Sequence, residues 1–449
     1  MAPEPIPSRR MPLLDRFSLP FRSRNFWVVL HRYAGLIIAV FMIVIGLTGS
    51  VIVFNPELSA WLNPPPKVEG RGRSPLSPVE LRERAEALVP HGAFNYLDLS
   101  PKRDEAFSLL VEPRPDPRTG KPTNLGFSTI YLDPYTGQEI GRDRDNGELW
   151  PITRRNVLTL INRLHYQLAI PGDAGTLLFG IVALLWTVDC VVSLYLTFPA
   201  RQRRETSANA GMMPVPVRTW WSRWWNPSWR IKGSSSTLRL NFDLHRAGGL
   251  WLWLLLLAIA WSSVGFNLNS QVYAPVMNAV FGMPDIFGGS LPALERPRVD
   301  AAMRWRDALR TARQLATDLG REQHFTVVRE VGLYFQGDKG AFIYLVRSDR
   351  DIERDAGATT LLFRDDGHFL NLSLPTGQNL GTTLNTWIFA LHMAKIGGLP
   401  FRLFICATGL ATAMLSVTGI YLWWRKRQAR KKRNRLRTAA IRVDRASIP

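Results

Sequence analysis

Four apolar stretches, each long enough to cross a lipid bilayer, decide what this 449-residue chain can fold into. Residues 36–54, 248–268 and 403–424 hold no charged side chain, and residues 177–198 hold one, Asp189. At about 1.5 Å per residue, each covers the roughly 30 Å of a hydrocarbon layer as a helix. Backbone groups surrounded by lipid must be satisfied within the segment, so the spans form helices and the chain a helical bundle. Cys190 and Cys406, the only cysteines, fall inside spans and read as small buried apolar residues, which excludes a disulfide framework.

Charge gives the orientation. Residues 1–25, 199–240 and 425–449 together carry 24 basic and 4 acidic residues, which accounts for the whole net charge of +20. The positive-inside rule puts these segments in the cytoplasm, both termini included, and the long regions 55–163 and 269–390 on the other side. The basic balance sits at membrane edges without a nucleic-acid-binding signature, so no nucleic-acid partner is expected. Five tryptophans in the middle loop (Trp220, Trp221, Trp224, Trp225, Trp229) read as an interfacial anchor against anionic membrane lipid. The first apolar run is too long for a signal peptide, and no small-residue cleavage site follows it.

Every span is entered through a Leu-His pair: Leu30-His31, Leu164-His165, Leu244-His245 and Leu391-His392. Two lie in near copies of one string, LHRYAGL and LHRAGGL, while His91, His324 and His368 lie in polar stretches. The order span, outer region, span repeats, which points to an internal duplication of two parallel halves. His31 is then equivalent to His245 at the cytoplasmic edge, and His165 to His392 at the outer edge. A single interfacial histidine is an ordinary anchor; four in register suggest shared ligands, with bis-imidazole haem iron foremost. In this reading His31 and His245 ligate one b-type haem and His165 and His392 a second, making two haem b. No carboxylate or thiolate accompanies the pairs, which disfavours a bare zinc or manganese site.

Gly35 and Gly249 stand four residues after their histidines, on the same helix face, and leave room for a planar macrocycle; Gly49 recurs on that face five turns on. Arg32 and Arg246 beside the inner pair, and Arg163 and Lys395 beside the outer pair, are candidates for neutralising haem propionates, or equally ordinary interfacial cations. Asp189 is a carboxylate deep in a span and needs a partner: a hydrogen bond at the haem pocket, a proton relay or a link to another span. The outer histidines precede their apolar runs by 12 and 11 residues, with Pro171-Gly172 and Gly397-Gly398 between, so both helices are expected to break there.

Each outer region shows one helical pattern (78–88 and 301–319) and three strand-like runs (94–99, 106–112 and 126–132; 325–333, 341–346 and 359–363). Turns at DPYTG (133–137) and at Asp365-Asp366-Gly367 follow. The expected fold class is a membrane α-helical bundle of four transmembrane helices with two small α+β extracytoplasmic domains. Its parts are the tail 1–25, spans at 26–54, 164–198, 241–268 and 391–424, outer domains at 55–163 and 269–390, the loop 199–240 and the tail 425–449. The second and fourth spans include their outer extensions.

The DPYTGQEIG turn, the LHR-x-x-G-L entries, the LLWTVDC stretch (184–190) and the terminal GIYLWWRKR (419–427) resemble the PepSY-associated transmembrane helix family. The similarity runs from about Phe26 to Arg427. It implies a bacterial inner-membrane protein linked to iron uptake, with PepSY-like outer domains. It further implies a ferric-siderophore reductase that takes electrons on the cytoplasmic side and delivers them to a ferric siderophore or another ferric chelate in the periplasm. The cytoplasmic segments are too short for a nucleotide-binding domain and lack a G-x-G-x-x-G in strand–helix context, so the donor is a partner, a quinol or a diffusible reductant. Two rival readings are a non-redox accessory of siderophore transport and a regulatory protein whose PepSY-like domains contact proteases or envelope sensors. Neither requires four registered histidines.

Overall fold

The computed structural model describes residues 23–446, except 71, 117, 144–148, 201–218, 234–235, 285–292 and 354–356. Most of the basic N-terminal segment and nearly half of the basic middle loop lie outside the described residues. The first half runs α1 (Arg24–Ile52), α2 (Asn55–Leu62), α3 (Pro78–Leu88), β1 (Gly92–Ala93), β2 (Tyr96–Asp98), β3 (Phe107–Leu110), β4 (Glu112–Pro113), β5 (Thr129–Leu132), β6 (Glu139–Asp143), α4 (Val157–Gln167) and α5 (Asp173–Thr197). A Trp-rich helix α6 (Trp220–Trp229) leads to the second half: α7 (Thr237–Trp251), α8 (Trp253–Asn267), a π-helical turn (Asn269–Tyr273) and α9 (Ala274–Phe281). Then follow α10 (Trp305–Gln323), β7 (Val327–Gln336), β8 (Ala341–Ser348), β9 (Thr359–Arg364), β10 (Phe369–Ser373), α11 (Leu380–His392) and α12 (Gly398–Ala446). The chain divides into a membrane unit (residues 1–50, 165–267 and 406–449) and an outer unit (51–164 and 268–405).

Among the described residues three helices are long and apolar enough to cross a membrane, α1, α5 and the first part of α12, and a bent pair makes a fourth if it counts as one broken span. The third apolar stretch is not the continuous span that its composition predicts. It is two helices, α7 and α8, bent by 69° at Leu252. The pair Gly248-Gly249 precedes the bend, and two adjacent residues without side chains stiffen a helix least. Trp253 then donates its indole N–H to the Cys190 carbonyl at 2.7 Å, fastening the start of α8 to α5. Helices α1 and α12 approach closely through small residues: a Cβ on Gly409 would stand 2.6 Å from the Gly46 carbonyl oxygen. Ser50 donates to the Cys406 carbonyl across the same contact at 2.9 Å. The breaks expected after the outer histidines are present. Leu168 and Ala169 both take φ +55° between α4 and α5; Ala394 (φ +53°) and Gly397 (+69°) separate α11 from α12, which opens on Gly398 at +61°.

In the outer unit, helix α3 starts as its sequence S-P-V-E dictates. Ser77 and Glu80 form a reciprocal capping box, and Pro78 occupies the first turn. The DPYTG turn closes on Asp133, whose side chain accepts from the Tyr135 N–H at 2.7 Å, with Gly137 at φ +72°. The two outer regions do not stand as separate domains. Strand β2 of the first pairs antiparallel with β7 of the second and completes a five-stranded sheet ordered β10-β9-β8-β7-β2. Strands β3, β5 and β6 form a second antiparallel sheet. One core runs through both, from Leu81, Phe94, Leu97 and Ile130 to Trp305, Phe335, Phe342 and Phe363. Arg82 joins the regions: buried, it donates to the Phe94 carbonyl at 2.9 and 3.1 Å and lays its guanidinium 4.1 Å from the Trp305 ring.

On the surface of this unit Arg313 grips Glu330 with two hydrogen bonds of 2.8 and 2.7 Å, and the Tyr344 hydroxyl donates to the same carboxylate. Burial raises the Glu330 pKa, but the bonds from Arg313 and Tyr344 outweigh it and hold the carboxyl below its ordinary value. A depressed carboxylate contributes stability at neutral pH and loses it as pH falls through its lowered value. Hydrogen exchange of β7 and β8 in the intact detergent-solubilised protein is therefore expected to accelerate below the ordinary carboxylate range. Glu330→Gln is expected to flatten that acid step and to lose about 1 kcal/mol at neutral pH, a modest figure because Arg313 is largely exposed. An unchanged acid profile in the variant contradicts the assignment.

Candidate functional site

The membrane unit builds one cavity from the faces of α1, α5, α7, α8 and α12. His31 on α1 and His245 on α7 stand on its walls with ring centroids 6.2 Å apart and planes inclined by 51°. His31 Nδ1 lies 2.8 Å from Asp189 Oδ1 on α5. The carboxylate oxygen accepts and the ring nitrogen donates. His245 Nδ1 lies 2.9 Å from the Leu415 carbonyl and 3.2 Å from the Thr418 hydroxyl on α12. Thr418 spends its proton on the Met414 and Leu415 carbonyls, both at 2.9 Å, so His245 Nδ1 also carries its own proton. Both rings are thereby fixed in orientation and tautomer, and Nε2 of each makes no hydrogen bond among the described residues.

The cavity measures about 360 Å³ and is walled by apolar side chains, among them Ile38, Met42, Trp186, Leu250 and Leu256. Gly35 and Gly249 line it, and a Cβ built on either meets no protein atom within 4 Å. Their small size is therefore not demanded by protein packing. Gly419 differs, since a Cβ there would stand 3.2 Å from His245 Cε1.

Three cations from three helices reach the same space: Arg32, Arg246 and Lys426. Arg246 is held by the fully buried Asp243 at 3.3 Å, which also pairs with Arg239 at 3.0 Å. Arg246 Nε is buried without a hydrogen-bond partner among the described residues, a donor that an anion in the cavity would satisfy. Phe242 lies beneath the charges of Arg246 (5.1 Å) and Lys426 (5.8 Å). Sequence reasoning passes over Lys426, one of eleven basic residues in the tail, because its charge alone does not mark it.

The remaining sequence-predicted residues fall elsewhere. His165, in the membrane unit, places Nδ1 3.1 Å from the Thr48 hydroxyl, which donates in turn to the Val44 carbonyl at 2.7 Å. Gly49 shares the His31 face by its spacing but does not line the cavity, since five turns carry it about 27 Å further along α1. It backs the His165 ring, where a Cβ would stand 2.9 Å from Cε1. The same face of α1 meets the cavity at one height and His165 at another. His392, Arg163 and Lys395 belong to the outer unit. His392 ends α11, and Lys395 forms an ion pair with the buried Glu353 at 3.2 Å. Lys395 is thus already partnered by protein. Ser262 stands 17 residues after His245, as Thr48 does after His31, and both hydroxyls bond back to carbonyls one turn earlier. Among the described residues no three His, Cys, Asp or Glu side chains gather as metal ligands.

Apolar helices of membrane-spanning length, enclosing a cavity with two oriented imidazoles, define a multi-pass membrane protein. The family model for the PepSY-associated TM region matches residues 28–426, and the chain belongs to that family. No curated protein matches the chain.

The glycines separate cavity from packing in a way that stability measurements can read. Gly249→Leu is expected to leave thermal unfolding of the ligand-free protein within about 0.5 kcal/mol of the parent. Gly409→Leu, which drives a side chain into α1, is expected to cost about 1–3 kcal/mol. Equal losses for the two variants would show that Gly249, too, is demanded by helix packing.

Proposed function

We propose that this protein is a di-haem electron-transfer protein of the bacterial inner membrane, carrying electrons from the cytoplasmic side to a ferric siderophore or ferric chelate in the periplasm. The observation that carries this reading is the His31–His245 pair. Two imidazoles bound to opposite faces of one metal ion through bonds of about 2 Å put their centroids about 6 Å apart, and the observed 6.2 Å agrees. Each ring donates Nδ1–H to a protein acceptor, the arrangement that orients a ligating histidine and raises its basicity.

The residues present fit haem. His31 and His245 would hold the iron, Gly35 and Gly249 make room for the macrocycle, and Arg32, Arg246 and Lys426 would meet its carboxylates, with the unsatisfied Arg246 Nε among the donors. Haem, when bound, supplies reversible one-electron chemistry. The apolar wall of Ile38, Met42, Trp186 and Leu256 keeps water from the ligating nitrogens. Asp189, Leu415 and Thr418 hold the imidazole protons at Nδ1 and so keep both Nε2 lone pairs available.

By the repeat, His165 and His392 would hold a second haem toward the periplasm. The matching hydroxyls of Thr48 and Ser262 support that duplication. The basic segments support cytoplasmic termini, which puts the inner pair near the electron source, a quinol or a diffusible reductant. Delivery outward suits ferric chelates, because hard oxygen donors hold Fe³⁺ far better than Fe²⁺ and reduction to ferrous iron loosens them. A siderophore-transport accessory or a regulator contacting proteases would have no use for paired, tautomer-locked imidazoles.

Protein purified from haem-replete cells is expected to give low-spin b-type bands on dithionite reduction, with about two haems per chain. His31→Ala and His245→Ala are expected to remove one haem, and His165→Ala and His392→Ala the other. A colourless protein overturns the redox reading; loss of the same haem in His31→Ala and His165→Ala overturns the pairing.

A further inference from the structure

The two imidazoles of the cavity are anchored unequally. His245 donates to neutral oxygens, the Leu415 carbonyl at 2.9 Å and the Thr418 hydroxyl at 3.2 Å. His165 likewise meets a hydroxyl, that of Thr48. Of these three rings, His31 is the one that meets a carboxylate, Asp189, at 2.8 Å. Asp189 is 9% exposed within an apolar span, and no Lys or Arg pairs with it among the described residues. A charge in such a place is costly, and a neutral acceptor would orient His31 equally well, as the other two rings demonstrate. The carboxylate therefore does something beyond orientation.

We propose that Asp189 sets the direction of electron flow by making the centre held by His31 and His245 the more reducing of the two. The proposal rests on the haem reading above. A carboxylate accepting from Nδ1–H draws the proton toward itself and gives the ring imidazolate character, which pushes electron density to Nε2. A more basic axial ligand, with a negative charge behind it, stabilises ferric over ferrous iron and lowers the reduction potential. The cations of the cavity act in the opposite sense. Arg246 is already offset by Asp243, however, Lys426 is exposed to screening and Arg32 acts only through space, whereas Asp189 acts through the ligand itself. Asp189 is thus a positioning residue that also supplies a charge.

With haem bound at both pairs, one electron at a time would pass from the centre held by His31 and His245 to the one held by His165 and His392, with no bond made or broken. A quinol would supply two electrons in succession and release two protons, a one-electron carrier would supply one, and each electron passed on would convert one ferric chelate to ferrous. With Asp189 behind His31, the inner-to-outer step would run downhill.

Spectroelectrochemical titration of the purified holoprotein tests this. Two waves are expected, and the lower should be the one missing from His31→Ala. Asp189→Asn keeps the size and the accepting oxygen but removes the charge; it is expected to retain both haems, raise the lower wave and leave the upper unmoved. Thr418→Asp, which brings a carboxylate to His245 Nδ1, is expected to move the same wave further down. An unmoved lower wave in haem-loaded Asp189→Asn overturns the proposal, as does a lower wave that disappears in His165→Ala instead. Should Asp189→Asn not retain haem, the shift in Thr418→Asp and the order of waves in the unmodified protein decide. A protein without haem overturns the reading beneath the proposal; haem with the reversed order overturns the proposal alone.

Discussion

Within a bilayer no water completes a polar group's hydrogen bonds, so each nitrogen of an imidazole carried into a span must be answered by protein or by ligand. Much of the membrane unit follows from meeting that demand at His31, His245 and His165. Asp189, the Leu415 carbonyl with Thr418, and Thr48 each take one Nδ1 proton, and each sits on a helix other than that of its histidine. The histidines therefore cross-link α1 to α5, α7 to α12, and α1 to the end of α4. Close packing of α1 on α12 through Gly46 and Gly409 brings these contacts into register. The bend at Leu252 lets one apolar stretch serve both the cavity, through Gly249 and Leu250, and the contact of Trp253 with α5.

The outer unit solves a different problem. Strands of two to five residues in the first region bury little by themselves, and a three-residue strand such as β2 gains most of its stability from a long neighbour. Pairing with β7, ten residues long, provides one, and the common core that results extends from α3 to α10. Arg82 over Trp305 and the ion pair of Arg114 with Asp300 add polar fastenings between the regions.

Local signals carried far in the sequence, and long-range ones did not. Length and absence of charge gave the spans, the S-P-V-E string gave the start of α3, and Pro and Gly gave the breaks after the outer histidines. The repeated LHR-x-x-G-L entries led to the His31–His245 pair and to the open glycines 35 and 249. The partner of Asp189 was out of reach, because a contact across 158 residues leaves no local trace. The same holds for the β2–β7 pairing. Gly249 reads as cavity surface, and that reading conceals the second consequence of the Gly248-Gly249 pair, the bend. The helical period puts Gly49 on the His31 face but does not say which neighbour that face meets five turns on, and Lys426 is one positive charge among many.

The central claim is that His31 and His245 grip one iron from opposite sides. An electron cryo-microscopy map of haem-replete protein, at a resolution that shows side chains, tests it most directly. The account predicts a planar macrocycle between the two rings, iron bonded to both Nε2 atoms, carboxylates toward Arg32, Arg246 and Lys426, and the Asp189 contact to His31 intact. A cavity filled by lipid, or iron bound through only one of the two histidines, would contradict it.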